Sequence, residues 1–146
     1  MEWKIDYLEK DGIVSAKVTG LMDWEQHKRF AEELYPFAHK HGSHKIFIDF
    51  LEMTPRFTIL QVDDLPGLLK ELGVGPEDRI AALHNPASPH HSENVFFKNA
   101  ATIKSITVRY FTSKDDAIAW LKAYQPVSEP QASRPLSRRG LPKAKK

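Results

Sequence analysis

The side chains of this sequence best suited to chemistry are histidines, hydroxyls and one arginine, gathered in three stretches. His39, His41 and His44 form the first, Thr54, Arg56 and Thr58 the second, and His84, Asn85, Ser88, His90, His91 and Ser92 the third. The first stretch invites a metal reading. Zinc sites need imidazoles fixed on one helix face or a rigid turn, yet His39 and His41 are two residues apart and point to different sides of a helix. Their ordinary role is to complement the negative end of a helix dipole, and no metal site is expected. The other two stretches combine hydroxyls with groups that carry or can acquire positive charge. Such residues at helix N-termini suit a phosphate, a carboxylate or the headgroup of a lipid, because backbone N–H groups are unpaired there. The plainer role of the same threonines and serines is to cap those helices.

Catalytic chemistry finds less support. The chain has no cysteine, which excludes a thiol nucleophile, a disulfide scaffold and thiolate-held metal. No Gly-x-Ser-x-Gly elbow occurs. Asp63 and Asp64 beside Asp49 and Glu52 suggest acid–base work, but the pair reads better as helix-start residues and Asp49 as a carboxylate at a strand end. Gly73-Val74-Gly75 follows a helix, whereas a phosphate-cradling loop follows a strand. No catalytic residue and no cofactor are expected.

With 146 residues and 41% hydrophobic content, the chain suits one packed core. Charge is divided unevenly. Arg134, Arg138, Arg139, Lys143, Lys145 and Lys146 stand against Glu129 in residues 126–146, +5 in all, leaving −3 on residues 1–125 of a net charge of +2. A slightly acidic body argues against specific nucleic-acid binding. Four prolines and few large apolar residues make 126–146 a basic tail expected to be disordered, after a domain over 1–125. No apolar run reaches signal-peptide or membrane-spanning length, so a cytoplasmic protein without a transmembrane segment is expected.

The elements that must position these residues alternate. Trp3, Ile5 and Tyr7, then Val14, Ala16 and Val18, recur at period two around Asp11-Gly12, which predicts a β-hairpin of Glu2–Leu8 and Ile13–Thr19. Asp23 and Gln26 form a capping box ahead of Phe30, Ala31, Leu34, Phe37 and Ala38 at helical spacing. Pro36 should bend or break this helix, and Gly42 ends it. Lys45–Leu51 reads as a strand buried on both faces, Thr54-Pro55 as a loop or helix start, and Ile59–Leu72 as a helix with a bend at Pro66-Gly67. Arg79–His84 is another buried strand, 93–104 a helix, and Ile106–Phe111 the last strand. Ser113 and Asp116 then cap a helix whose stripe is Ala117, Trp120 and Leu121, with Trp120 as its core anchor. The order β-β-α-β-α-β-α-β-α predicts an α/β fold with a mixed, mostly parallel sheet flanked by helices.

Several of these segments together carry a resemblance. The hairpin, the entry Val18-Thr-Gly20-Leu-Met-Asp23-Trp24, the strand ending Ile48-Asp49-Phe50, and the closing Val108-Arg-Tyr-Phe111 with Ala117, Trp120 and Leu121 resemble the SpoIIAA-like proteins. These belong to the wider STAS group and are likened to lipid-exchanging CRAL-TRIO domains. The resemblance covers residues 1–124 and rests on packing motifs. It implies a non-enzymatic domain that acts by binding. The phosphorylation switch of the group implies a Ser or Thr in an Asp-Ser-Ser-Gly-like turn after the middle strand. The corresponding stretch here is Glu52-Met-Thr54-Pro-Arg-Phe-Thr58, in which Thr54 or Thr58 takes the place without the motif.

The expected function is therefore protein–protein interaction, with a protein partner or a second copy of the chain. The alternative is a small anionic or lipid-like ligand held by Thr54, Arg56, Thr58, Asn85, Ser88, His90 and His91.

Overall fold

The computed structural model describes residues 2–56, 58–85 and 106–125. Its sheet is five-stranded, in the order β1 (Glu2–Leu8), β2 (Ile13–Asp23), β3 (Lys45–Arg56), β4 (Arg79–Leu83), β5 (Thr107–Phe111). β1 pairs antiparallel with β2, and every later pair is parallel. Three described helices flank it: α1 (Trp24–Lys40), α2 (Ile59–Glu71) and α3 (Lys114–Lys122). The mixed, mostly parallel sheet expected from the alternation of elements is the one observed. The expected helix over 93–104 and the tail 126–146 lie outside the described residues.

The two faces of the sheet are unequally covered. On one, Val14, Ala16, Val18, Ile46, Ile48, Ile80 and Val108 meet Phe30, Ala31 and Leu34 of α1 and Val62 and Leu69 of α2. On the other, Ile13, Phe47, Ala81 and Leu83 meet Ala117 and Leu121 of α3. Strand alternation decides which side chain joins which core: Phe47 enters the second, its neighbours Ile46 and Ile48 the first. In β1, Trp3, Ile5 and Tyr7 pack on the first core, and Glu2, Lys4, Asp6 and Leu8 are exposed.

Local signals explain most boundaries. Asp23 caps α1 through Gln26 N–H, and the Gln26 side chain returns to Asp23 N–H. At the other end Ser43 N–H bonds the Ala38 carbonyl and Gly42 N–H that of His39, a paired closure of the last turn. Ser113 accepts from Asp116 N–H at the start of α3. Trp120 is only half-buried, packing on Phe111 at 5.6 Å between ring centroids, whereas Ala117 and Leu121 of the same stripe are fully buried.

Four expectations are corrected. Pro36 does not interrupt α1: the missing donor would have met the carbonyl of Glu32, and both residues are exposed, so that carbonyl lies on the solvent side of the helix. Pro66 likewise lies inside a continuous α2. Asp63 and Asp64 are exposed mid-helix residues, since α2 starts at Ile59 under a capping box of Thr58 and Gln61. Finally, β2 does not stop at Thr19, nor does β3 give way at Thr54-Pro55. The two continue together, with Leu21 opposite Thr54 and Asp23 opposite Arg56. Gly20, at φ 94°, permits this, because β2 passes there through a conformation that a side chain would strain. A register shift between Lys17 and Thr19 gives β3 one extra residue, and Leu51 N–H at that irregularity donates to Asp49 Oδ1 at 3.0 Å.

Candidate functional site

The polar residues and exposed apolar residues separate between the two ends of the parallel strands. At the C-terminal end, β3 leaves β4 after the pair Asp49 and Leu83 and β2 leaves β1 after Thr19 and Glu2. Beyond these points β2 and β3 project as a two-stranded ribbon among the described residues. Leu21 on β2 is 50% exposed, Leu51 on β3 45%, and Leu60 in the first turn of α2 77%. Three of the four exposed large apolar side chains among the described residues therefore lie at this end.

Beneath the ribbon the core is aromatic and thioether-rich. His27 of α1 is buried, with Nδ1 3.1 Å from Met22 Sδ, and its ring lies 6.3 Å from Trp24 and 6.1 Å from Phe30. Burial pushes its pKa down to about 4, so the imidazole is neutral at physiological pH.

The ligand residues expected from the sequence do not form one cluster. Thr54 and Arg56 are exposed on the ribbon, opposite Leu21 and Asp23. Thr58 accepts from Gln61 N–H at 3.1 Å as the cap of α2. Asn85 is exposed just past the end of β4. Since β4 ends level with Asp49, Thr54 and Arg56 stand several residues farther along the strand direction than Asn85. Ser88, His90 and His91 lie outside the described residues. His84, at the end of β4, is buried with its ring 5.4 Å from that of Tyr110.

A different set of polar groups meets at the N-terminal end. Asp78, buried just before β4, receives Gly75 N–H and His39 Nε2 on Oδ2 at 2.9 and 3.1 Å and His44 Nδ1 on Oδ1 at 2.8 Å. Gly73, beside the His39 ring, turns the chain at φ 94°, a conformation that a side chain would strain. Arg79 N–H bonds the His44 carbonyl at 2.8 Å. Above it, the Arg79 guanidinium lies 4.2 Å from the Tyr124 ring centroid and 4.9 Å from that of Trp120, and Tyr124 donates to the Glu77 carbonyl at 2.6 Å. Burial raises the Tyr35 pKa, and the charge of Asp78 raises it further.

This cluster joins the end of α1, the loop before β3 and the loop before β4. Chemically it is a clamp. Both imidazoles are spent on one carboxylate, and the hydroxyl between them in sequence, Ser43, donates to the Gly12 carbonyl at 2.7 Å instead. His41 does not join; its ring stacks on Tyr7 at 4.5 Å and lies 4.6 Å from Phe37. Sequence reasoning missed Asp78 because its partners are 39 and 34 residues away. The available signal was Gly75-Pro76-Glu77-Asp78, where an aspartate can close a turn on the backbone it follows. Among the described residues no three His, Asp or Glu side chains form a metal-binding group, and no helix is long and apolar enough to cross a membrane.

No family model and no curated protein matches this sequence. Among solved structures the chain is similar to an uncharacterized protein from the DUF3478 family, with a SpoIIAA-like fold, from Shewanella loihica PV-4. The two are 20% identical, with a TM-score of 0.53 over 82% of this chain and 92% of that one. At that identity the likeness concerns architecture, and the sheet with α1 and α2 on one face and α3 on the other is a SpoIIAA-like fold.

Proposed function

We propose that this protein is a non-enzymatic binding domain that recognises another polypeptide through the C-terminal end of β2 and β3. The carrying observation is that Leu21, Leu51 and Leu60 are all exposed at the end of the sheet where the ribbon runs beyond its neighbouring strands. Exposed apolar side chains cost solvation that a partner relieves, while among the described residues His39 and His44 are committed to Asp78 and Asp49 to Leu51 N–H. A regulatory role fits a domain of this kind.

The test is affinity capture with the intact protein and with a Leu21→Ser/Leu60→Ser variant. The expected result is a partner retained by wild type, re-bound when purified, and lost by the variant while its circular dichroism is unchanged. Equal binding by both proteins overturns the reading. A second reading, a small anionic or lipid-like ligand, draws on Arg56 lying on the same ribbon as Leu21, two positions farther along β3 than Leu21's partner Thr54. Loss of binding to anionic phospholipid vesicles in Arg56→Ala is its expected signature.

A further inference from the structure

β1 ends the sheet, and no described element pairs with its outer edge. Such an edge presents a row of N–H and C=O groups ready to pair with another strand. Of the usual blunting devices β1 carries only charged side chains: it is seven residues long, regular in register, and without proline or glycine. Its exposed face carries Glu2, Lys4 and Asp6, and none of them forms an ion pair among the described residues. Across β2, Lys4 faces Lys17, a like charge that itself pairs with Glu52 at 3.4 Å, and Asp6 faces Ser15. The charges of β1 are thus unanswered among the described residues.

A second copy answers them. Bonding groups along an antiparallel strand point alternately to one side and the other, so a two-fold pairing of β1 with itself admits only registers that place residues of equal parity opposite each other. Three such registers keep most of the strand paired. If Lys4 faces Lys4 of the second copy, Glu2 faces Asp6, and every charged pair is repulsive. If Asp6 faces Asp6 of the second copy, Lys4 faces Leu8. Centred on Ile5, however, the pairing sets Lys4 against Asp6 of the second copy and Asp6 against Lys4, with Trp3 opposite Tyr7 on the other face. Only this register converts the charge pattern into attraction, twice over by symmetry.

We infer that two copies of the chain join through antiparallel pairing of β1 about Ile5, extending the sheet from five strands to ten. The surface is distinct from the β2–β3 ribbon and does not depend on the function read there. By area it is a small contact, so assembly depends on concentration.

Sedimentation velocity of the intact protein over a range of concentrations tests this with a charge exchange. Lys4→Glu opposes Glu to Asp6 of the second copy, and Asp6→Lys opposes Lys to Lys4; each is expected to raise the dimer dissociation constant by about tenfold or more. The double variant Lys4→Glu/Asp6→Lys restores opposite charges and should recover the wild-type constant. Both residues are exposed on one strand face, so the fold tolerates the changes, and circular dichroism checks it. A wild-type protein that stays monomeric overturns the inference. So does a dimer that ignores both single reversals, or one lost with Leu21→Ser, which would assign assembly to the ribbon.

Discussion

The two ends of the parallel strands use their polar residues in opposite ways. At the N-terminal end one buried carboxylate collects two imidazoles and a backbone N–H, and an arginine lies against two aromatic rings, so that the end of α1 and two loops are tied together. At the C-terminal end the interior polar groups are a neutral, desolvated His27 among aromatics and His84 beside Tyr110, and leucines face solvent. One end is built to hold; the other leaves surface unspent. The division follows an α/β sheet, in which the carboxyl ends of the strands are the usual place for recognition.

The contrast breaks most directly at Asp78. Replacing it by alanine strands two half-buried imidazoles and the Gly75 N–H at once, and losing a buried, multiply bonded carboxylate should lower unfolding free energy by about 3–5 kcal/mol. Urea denaturation measures it. A loss below about 1 kcal/mol would mean that the clamp contributes no more than an ordinary surface pair.

How much of this was legible in the sequence depends on the range of the signal. The hairpin, the capping box at Asp23 and the cap at Ser113 were readable because their partners lie within a few residues. The ends of β2 and β3 were misjudged for a tertiary reason: Gly20 and Thr54-Pro55 look like breakers in isolation, but each strand supplies the other with pairing that carries it on. Pro36 is tolerated because the carbonyl it deprives belongs to exposed Glu32 and faces solvent; Pro66 differs, since Val62 four residues before it is buried and α2 continues all the same. Thr54 and Arg56 were expected beside Asn85 on the assumption that adjacent strands end level, which β3 does not.

Acid should act on the C-terminal end. His27 has its pKa lowered in the fold from 6.5 to about 4, so the unfolded chain binds a proton that the folded chain refuses. Its contribution is fully present above about pH 6.5 and is lost as pH falls through 4, in all about 3 kcal/mol. His27→Phe should flatten the pH dependence of stability across that window. Hydrogen exchange at pH 5 should show the first turns of α1 opening before the last turn, where Gly42 and Ser43 close the helix. Identical pH profiles for the two proteins would remove His27 as the cause.

Trp120 belongs to the held end, with a smaller effect. A fully buried tryptophan replaced by alanine costs about 3–5 kcal/mol, but this ring is only partly buried and gives up mainly its contacts with Phe111 and Arg79. The expected loss in Trp120→Ala is about 2 kcal/mol. A loss as large as for Asp78→Ala would show that α3 docks through the ring rather than through Ala117 and Leu121.

The smallest expected change in stability comes from the exposed leucines, and its smallness is what distinguishes the two ends. Leu60 is 77% and Leu21 50% exposed, so each keeps much of its surface in water and little burial is lost on truncation. Exposed substitutions of this kind usually stay within about 0.5 kcal/mol. For Leu21, serine also keeps β2 extended without branching into its neighbour Thr54. Leu21→Ser/Leu60→Ser should therefore unfold within about 1 kcal/mol of wild type in urea. A larger loss would mean that the ribbon end is part of the folding core, and the leucines would then be structural residues that happen to reach the surface rather than surface kept for a partner.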